Sequence, residues 1–374
     1  MSQLPLASII VSNYNYGRFL RESIDSALAQ TFANKEVIVV DDGSTDESRE
    51  IITSYGEQII PVLKENGGQA SAFNAGLAAS RGEAVLFLDA DDVLLPSALE
   101  KAVPLLEEEE VIKVHWPLWV IGHHGERQGD MFPSSPLPDG DLRESAMRDG
   151  PNNNNWPPTS GNLWSRTLLR EISPVPEAVY RLGADTYLAM LGPFFGTIRA
   201  LRDPEGLYRR HENNYWWKGT NFAAKLKREV QFYDDYSMVA LRYCKKLGVQ
   251  VNPEAWSEKS WWRLLLRAVE DIERIIPAGQ PFILVDEASW GMDVDEEYHP
   301  IPFLERDGQY WGPPPDDAVA IRELERLRQA GAAFIVIAWS ALWWLDHYPE
   351  FFSYLRSKFS CALEDNRLVV FDLR

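Results

Sequence analysis

Asp89, Asp91 and Asp92 follow a fully apolar run at residues 84–88, with only Ala90 among them. Carboxylates this close repel one another unless a cation sits among them, and hard divalent ions take oxygen ligands of this kind, often together with substrate phosphates. The simpler reading is an Asp-rich turn at the end of a strand, because Asp bonds its own nearby backbone. Two other apolar runs end in polar residues. Ser12 and Tyr14 follow residues 7–11, and Asp41-Asp42-Gly43 follows residues 37–40. A tyrosine here can stack on a nucleobase while Ser12 and Asp42 hydrogen-bond its edge, leaving the acids to face a diphosphate through a metal. Singly, Tyr14 and Asp42 are ordinary turn residues. Together, at successive strand ends, they point to one ligand site. No Gly-x-Gly-x-x-Gly and no Walker lysine follows the first strand, which argues against a dinucleotide or P-loop site.

These residues need elements that bring strand ends together. The run 84–88 suits a central strand covered on both faces, with the acids at its C-terminal end, where open α/β sheets bind ligands. Strands at 7–11, 37–40 and 59–63 precede it. Between them come a helical spacing of Phe19, Leu20, Ser23, Ile24, Ala27 and Leu28, a capping-box pattern at Ser44-Thr45-Asp46-Glu47, and a helical face of Ala70, Phe73 and Leu77. Strand and helix alternating over short connections predict an α/β fold with a doubly wound, mostly parallel, right-handed sheet. Past Asp92 the sequence predicts a helix at 98–110 and a strand at 111–121. A Pro-, Gly-, Asp- and Asn-rich loop at 129–160 follows, read as an acceptor-binding lid or a plain insertion. His115, His123 and His124 lack metal-ligand periodicity and read as surface or strand residues. Helical patterns cover 222–247 and 253–276. A second α/β pattern of half-Rossmann type then runs through strands at 281–285, 334–338 and 368–373 and helices at 316–329 and 343–359, without a phosphate-binding glycine motif. Its loop at 305–315 is polar, aromatic and Pro-rich at once. The expected division is 1–220, a helical linker at 221–277, and a small α/β domain at 278–374.

At 374 residues the chain exceeds what one core usually serves. Its 45% hydrophobic and 25% charged residues are ordinary for a soluble globular protein, and the net charge of −19 argues against a nucleic-acid-binding surface and against docking on anionic lipid. Two cysteines make neither a disulfide framework nor a zinc site, which suggests a reducing compartment. The longest apolar run, 332–345, is too short to span a bilayer, and strand-like sequence begins within the first ten residues, leaving no room for a signal peptide. The expectation is a cytoplasmic protein.

Ser8-Ile9-Ile10-Val11-Ser12-Asn13-Tyr14-Asn15, Val39-Val40-Asp41-Asp42-Gly43-Ser44-Thr45-Asp46, Asn66-Gly67-Gly68, Asn74-Ala75-Gly76 and Phe87-Leu88-Asp89-Ala90-Asp91-Asp92 stand in an order that resembles family 2 glycosyltransferases of the GT-A fold. The resemblance extends over residues 5–215. It implies an inverting transferase that moves a sugar from a UDP- or dTDP-linked donor to a hydroxyl of a saccharide or lipid-linked saccharide, in bacterial-type surface polysaccharide or glycan assembly, with Mn²⁺ or Mg²⁺. By the same resemblance Tyr14 and Asp42 hold the base, and Ser12, Gln69, Asp89 and Ala90 complete the nucleotide site. Asp89 and Asp91 are the family's DxD motif. The metal set is Asp89, Asp91 and Asp92 with His211, which lies in Gly206-Leu207-Tyr208-Arg209-Arg210-His211-Glu212-Asn213-Asn214. Gly161, in Thr159-Ser160-Gly161-Asn162, lies beside the donor sugar. Asp185 is the catalytic base, although the family's preceding Glu is replaced by Ala184; without the resemblance Asp185 reads as a helix N-cap. The enzyme is then cytoplasmic or peripheral to the inner face of the membrane, with a homo-oligomer expected through the C-terminal domain. Two other classes compete. A sugar-phosphate nucleotidyltransferase would carry a Gly-rich basic loop where Asn13-Tyr14-Asn15-Tyr16-Gly17-Arg18 stands, and a nucleotide-sugar-binding protein lacking a base is favoured by Ala184 alone.

Overall fold

The computed structural model describes residues 4–151, 155–211, 222–290 and 300–374. Residues 152–154 of the asparagine run and 212–214 after His211 lie outside them. The chain forms two compact units, one of Met1–Lys218 with Phe232–Lys259 and one of Gly219–Gln231 with Ser260–Arg374.

The first unit opens with β1 (Ala7–Asn13), α1 (Gly17–Leu28), β2 (Lys35–Asp42), α2 (Ser48–Ser54), β3 (Ile60–Lys64), α3 (Gln69–Ala79) and β4 (Ala84–Asp89). These four strands are parallel in the order β3-β2-β1-β4, as the alternation requires. Their side chains alternate between two cores. Ile10, Ile38, Val40, Val85 and Phe87 face one, and Ile9, Val11, Val37, Val39, Leu86 and Leu88 face the other. The period of two is the sheet's own, and burial on both faces explains why the strands read as continuous apolar runs. Parallel register sets Ser12 directly beside Asp89. The expected capping box does not form. Ser44 Oγ instead accepts from Asn15 N (2.9 Å) and Asn13 Nδ2 (3.1 Å), while Asp46 accepts from Gly17 N and Ser48 N, so this segment ties the first two strand ends together.

The unit continues with β5 (Val93–Leu94), α4 (Ala98–Leu106), β6 (Val111–His115), β7 (Leu118–Ile121), β8 (Arg127–Phe132), β9 (Gly140–Asp141), α5 (Arg143–Asp149), β10 (Asn162–Ser165), α6 (Arg166–Ile172), α7 (Ala184–Leu191), β11 (Thr197–Ala200) and β12 (Gly206–Arg209). The large sheet extends past β4 through β10, β6, β11 and β9, and a second sheet has the order β5-β12-β7-β8. The single strand expected at 111–121 is two strands in different sheets. Pro117 stands at the break and has no N–H for a ladder.

The helices expected as a linker are divided between the units: the first residues of α8 (Phe222–Lys246) belong to the second unit, whereas its later turns and α9 (Pro253–Lys259) belong to the first. The second unit follows with α10 (Trp261–Ile275), β13 (Phe282–Val285), β14 (Pro300–Pro302), β15 (Glu305–Arg306), β16 (Gln309–Tyr310), α11 (Asp317–Gln329), β17 (Phe334–Ala338), α12 (Trp344–His347), α13 (Pro349–Lys358), β18 (Ser360–Glu364) and β19 (Leu368–Asp372). Its sheet has the order β14-β13-β17-β19-β18, parallel through the first three strands and antiparallel at the end. The helix expected at 343–359 is interrupted before Pro349, which begins α13 as proline favours. No helix of the described residues is long and apolar enough to cross a membrane.

Candidate functional site

β4 delivers its acids to a place where neighbouring loops hold each differently. Asp92 is buried and fully engaged: Oδ1 accepts from Arg209 N (2.9 Å) and Oδ2 from Ser160 Oγ (2.7 Å). Asp89 accepts from Ser12 Oγ at 3.4 Å, and its backbone N–H donates to Ser160 Oγ at 3.2 Å. Ala90 N donates to Ser12 O, fixing the strand end against β1. Asp91 points the other way, with Oδ2 2.9 Å from His211 Nε2. The far ring nitrogen of His211 lies 3.4 Å from Arg18 Nη2, and Tyr16 and Phe19 wall the imidazole.

Burial and the neighbouring charges of Asp91 and Asp185 push the Asp89 carboxyl well above its ordinary range, and burial with Asp91 and Asp89 does the same to Asp92. A surplus of negative charge in a poorly hydrated place is what a divalent cation relieves. Of the four residues expected as ligands, Asp91 and His211 meet as a pair, whereas Asp92 commits both oxygens to protein donors. Among the described residues no group of three or more His, Cys, Asp or Glu surrounds a common point. The chemistry of the Asp91–His211 pair suits a divalent ion, which would need ligand oxygens to complete its shell, as phosphate-bound metals commonly do.

Across from these acids stands Asp185, at the start of α7. It is not the helix cap. Gln69 Oε1 takes that role, accepting from Gly183 N (2.8 Å) and Ala184 N (3.0 Å), so this side chain, expected at the nucleotide, is turned toward α7. Asp185 accepts from Thr186 N at Oδ1 (2.9 Å) and from Thr159 Oγ1 at Oδ2 (3.3 Å). Burial raises its pKa above the ordinary carboxyl value. Ser160, next to Thr159 in the chain, accepts from Asp89 N and donates to Asp92, so two adjacent hydroxyls serve Asp185 and the acids of β4. Behind them Lys113 is buried between the rings of Trp156 (4.1 Å) and Trp164 (4.7 Å), and burial holds its pKa well below the usual lysine range.

The remaining expected residues occupy the adjoining strand ends. Tyr14 is exposed on the loop after β1, pinned at its base by Asn15 Oδ1, which accepts from Thr45 N. Asp42 is buried and accepts from Lys64 Nζ (2.6 Å), Asn66 Nδ2 (3.1 Å), Gly67 N (3.0 Å) and Gly68 N (2.7 Å). It thus organises the Asn66-Gly67-Gly68 loop, and contact with a base requires one of these bonds to open. Gly161 faces no open space: a Cβ there would stand 2.7 Å from Trp116 O and 2.8 Å from Pro157 Cβ. Close packing is what requires glycine at this position.

The sequence reading did not single out Thr159, Ser160 or Arg209, which orient the acids, nor Lys113. The two hydroxyls had one available signal, their place directly before Gly161. Lys113 had none, since a lysine alternating with valine and isoleucine reads as solvent-facing.

Residues 8–159 match the family described as glycosyl transferase family 2. An uncharacterized glycosyltransferase of Nostoc sp. is 33% identical over 301 residues, spanning 76% of this chain and 91% of that protein. One of Rickettsia prowazekii is 47% identical over 104 residues, 28% of this chain but only 33% of its own length. Among solved structures, S. aureus TarS 1-349 in complex with UDP-GlcNAc aligns with a TM-score of 0.45 at 22% identity, covering 72% of this chain and 67% of that one. The motifs at four strand ends, the family match over β1 to Thr159 and a relative aligned along nearly its whole length agree: this chain belongs to glycosyl transferase family 2.

Proposed function

We propose that this glycosyltransferase moves a sugar from a UDP- or dTDP-linked donor to a hydroxyl of a saccharide or lipid-linked saccharide with inversion, Asp185 acting as the general base. The observation that carries the reading is a pair of adjacent hydroxyls, Thr159 bonding Asp185 and Ser160 bonding Asp92 and the backbone of Asp89. This supports a proton acceptor near the acids that would face the donor diphosphate, as one in-line displacement needs.

Asp185 would take the acceptor's proton at Oδ2, the oxygen now accepting from Thr159, and its raised pKa makes it the better base. Gln69 fixes the direction of α7 and with it that carboxylate. Tyr14 would stack on the base, with Ser12 and Asp42 at its edge. Gly161 would act only by shaping the wall beside the donor sugar. Asp91 and His211 would hold Mn²⁺ or Mg²⁺, whose contribution when bound is to offset charge on the departing diphosphate. Ser160 and the Arg209 backbone engage both oxygens of Asp92, so Asp92 would act through its charge. Inversion requires no covalent intermediate with the enzyme. An assignment to bacterial-type surface glycan assembly, at or near the cytoplasmic face of a membrane, follows from this donor and acceptor class.

The test is incubation of the full chain with UDP- and dTDP-sugars, Mn²⁺ and a saccharide acceptor, with the anomeric configuration of the product read by NMR. Inversion is expected. A retained anomer would remove the single displacement, and no turnover with any donor that binds would leave a nucleotide-sugar-binding protein.

A further inference from the structure

The second unit has an unassigned group of side chains at the C-terminal end of its parallel strands. As β13 ends, Glu287 and Ala288 both take left-handed backbone angles (φ 56° and 55°), which non-glycine residues adopt only when their surroundings impose it. Asp286 imposes it here, accepting from Ala288 N (3.1 Å) and Trp290 N (2.9 Å). The turn projects Glu287 toward α12, where Oε1 accepts from the indole N–H of both Trp343 (2.9 Å) and Trp344 (3.2 Å). One carboxylate oxygen therefore sets the planes of two tryptophans. Trp344 is buried, but Trp343 is 44% exposed.

The polar, aromatic, Pro-rich loop singled out in the sequence reaches the same place. Trp344 packs on Phe303 (6.0 Å between rings), and Leu304 and Trp311 pair through their backbones. Tyr348, 6.2 Å from Trp343, donates to Pro314 O at 2.6 Å. Between these anchors Trp311 is 62% exposed, and the Tyr310 hydroxyl feels the charges of Glu287 and Asp286. Trp311 and Trp343 are the only tryptophans among the described residues that rank as exposed large hydrophobics. Trp311 carries the Arg306 guanidinium over its ring (4.7 Å), on the loop whose Pro314 is held by Tyr348 beside Trp343.

We propose that Glu287, Tyr310, Trp311 and Trp343 form a binding site for a neutral sugar residue on the second unit. A pyranose offers an apolar C–H face and a rim of hydroxyls, and its recognition needs a fixed aromatic plane beside fixed hydrogen-bond acceptors. Trp343 supplies a plane locked by its own N–H, and Glu287 retains a second carboxylate oxygen beside it. The Tyr310 hydroxyl adds a donor and an acceptor. Around Trp343 the two carboxylates Asp286 and Glu287 disfavour a phosphate or acidic ligand, the Arg306 cation over Trp311 leaves the group as a whole near neutral balance, and this unit has no glycine-rich phosphate motif. The site would hold a sugar of the acceptor or of the growing product, and it stands independently of how unit 1 performs transfer.

The test uses the full chain and saturation-transfer NMR with glucose, N-acetylglucosamine, rhamnose, cellobiose, N,N′-diacetylchitobiose and glucuronate as probes. At least one neutral probe is expected to bind, weakened tenfold or more by Trp343→Ala and by Glu287→Gln. Donor hydrolysis by unit 1 is expected to be unchanged in both variants, which separates failure here from failure of the transfer reading. If Trp343→Ala does not fold by circular dichroism, Trp311→Ala and Glu287→Gln carry the same test. Binding that none of these variants weakens, preference for glucuronate, or a changed oligomeric state with unchanged sugar binding would each overturn the proposal, the last making the tryptophans a subunit contact.

Discussion

The two units each end a buried parallel strand in acidic residues, and they treat them oppositely. At β4 the acids crowd: burial and the charge of Asp91 raise the pKa of both Asp89 and Asp92, and Ser12, Ser160 and the Arg209 backbone hold those two in place. At β13 the acids do the holding: Asp286 fixes a turn and Glu287 fixes two indoles. Where neighbours position a carboxylate, its charge is kept for something absent from the fold. Where a carboxylate positions its neighbours, its charge belongs to the fold. Substitutions that remove charge but keep shape should therefore act differently at the two strand ends.

The largest expected effect is at β4. Asp91→Asn can still accept from His211 but loses the charge a cation needs, so transfer should fall on the order of a thousandfold, the scale of several kcal/mol of lost electrostatic stabilisation. Nucleotide binding should also lose any dependence on Mn²⁺, measured by titration calorimetry with and without the ion. Melting temperature should hold or rise, because like charges are separated. Unchanged Mn²⁺-dependent affinity would take Asp91 out of the site.

Next is Asp185→Asn, which preserves the bond from Thr186 N and gives up, with the proton acceptor, only the long bond from Thr159. Transfer should drop about a hundredfold or more, the usual contribution of a general base. Donor affinity and stability should barely move, since Gln69 rather than Asp185 caps α7. A sharp loss of stability with an unchanged rate per folded molecule would make Asp185 a structural residue.

Much of this was legible in the sequence, and the remainder failed mainly because the pairings concerned are distant in the chain. Apolar runs ending in polar residues located β1, β2 and β4 and the acids at the ends of the last two, because strand period and burial are local properties. His211 was found through its motif and does meet Asp91. The partners that set each acid's environment were not legible: Ser160 bonds Asp92 across 68 positions and Gln69 caps α7 across 115. Such pairings exist only once the chain is folded. Local signals also competed. Ser44-Thr45-Asp46-Glu47 has the letters of a capping box, yet its groups are drawn to the β1 loop by Asn13, Asn15 and Gly17. Pro117, Ser260 and Pro349 were visible punctuation, and each coincides with a break that the longer expected elements ran through.

The third expectation separates positioning from charge within unit 1. Gln69→Ala removes an uncharged side chain that touches no reacting group, yet it leaves Gly183 N and Ala184 N without their acceptor. Stability should fall by about 1 kcal/mol, as for a lost helix cap. Transfer should fall about tenfold through misdirection of Asp185, following the sensitivity of catalysis to small displacements. Glu at this position keeps an acceptor oxygen and should restore stability and most of the rate. An alanine variant that melts earlier but transfers at the normal rate would show that α7 holds Asp185 without help.

The smallest effect lies in the second unit and depends on pH. Glu325 accepts from Arg328 (2.8 Å), Tyr354 (2.8 Å) and Lys358 (3.0 Å), and these bonds, opposing the upward pull of burial, hold its carboxyl down at about 2 against 4.5 for a free glutamate. Folding therefore favours its ionised form. The stability this contributes is fully present above pH 4.5 and is lost as pH falls from there toward 2, because the unfolded chain takes up the proton first. Both cations are a third or more exposed, so solvent screening reduces the contribution to about 1 kcal/mol. Glu325→Gln should melt slightly earlier at pH 7 and converge on the parent as the solution is acidified to pH 3. A gap between the two proteins that stays constant over that range would mean that Glu325 stabilises by shape and hydrogen bonding, and that charge in this unit is as dispensable as it is required at β4.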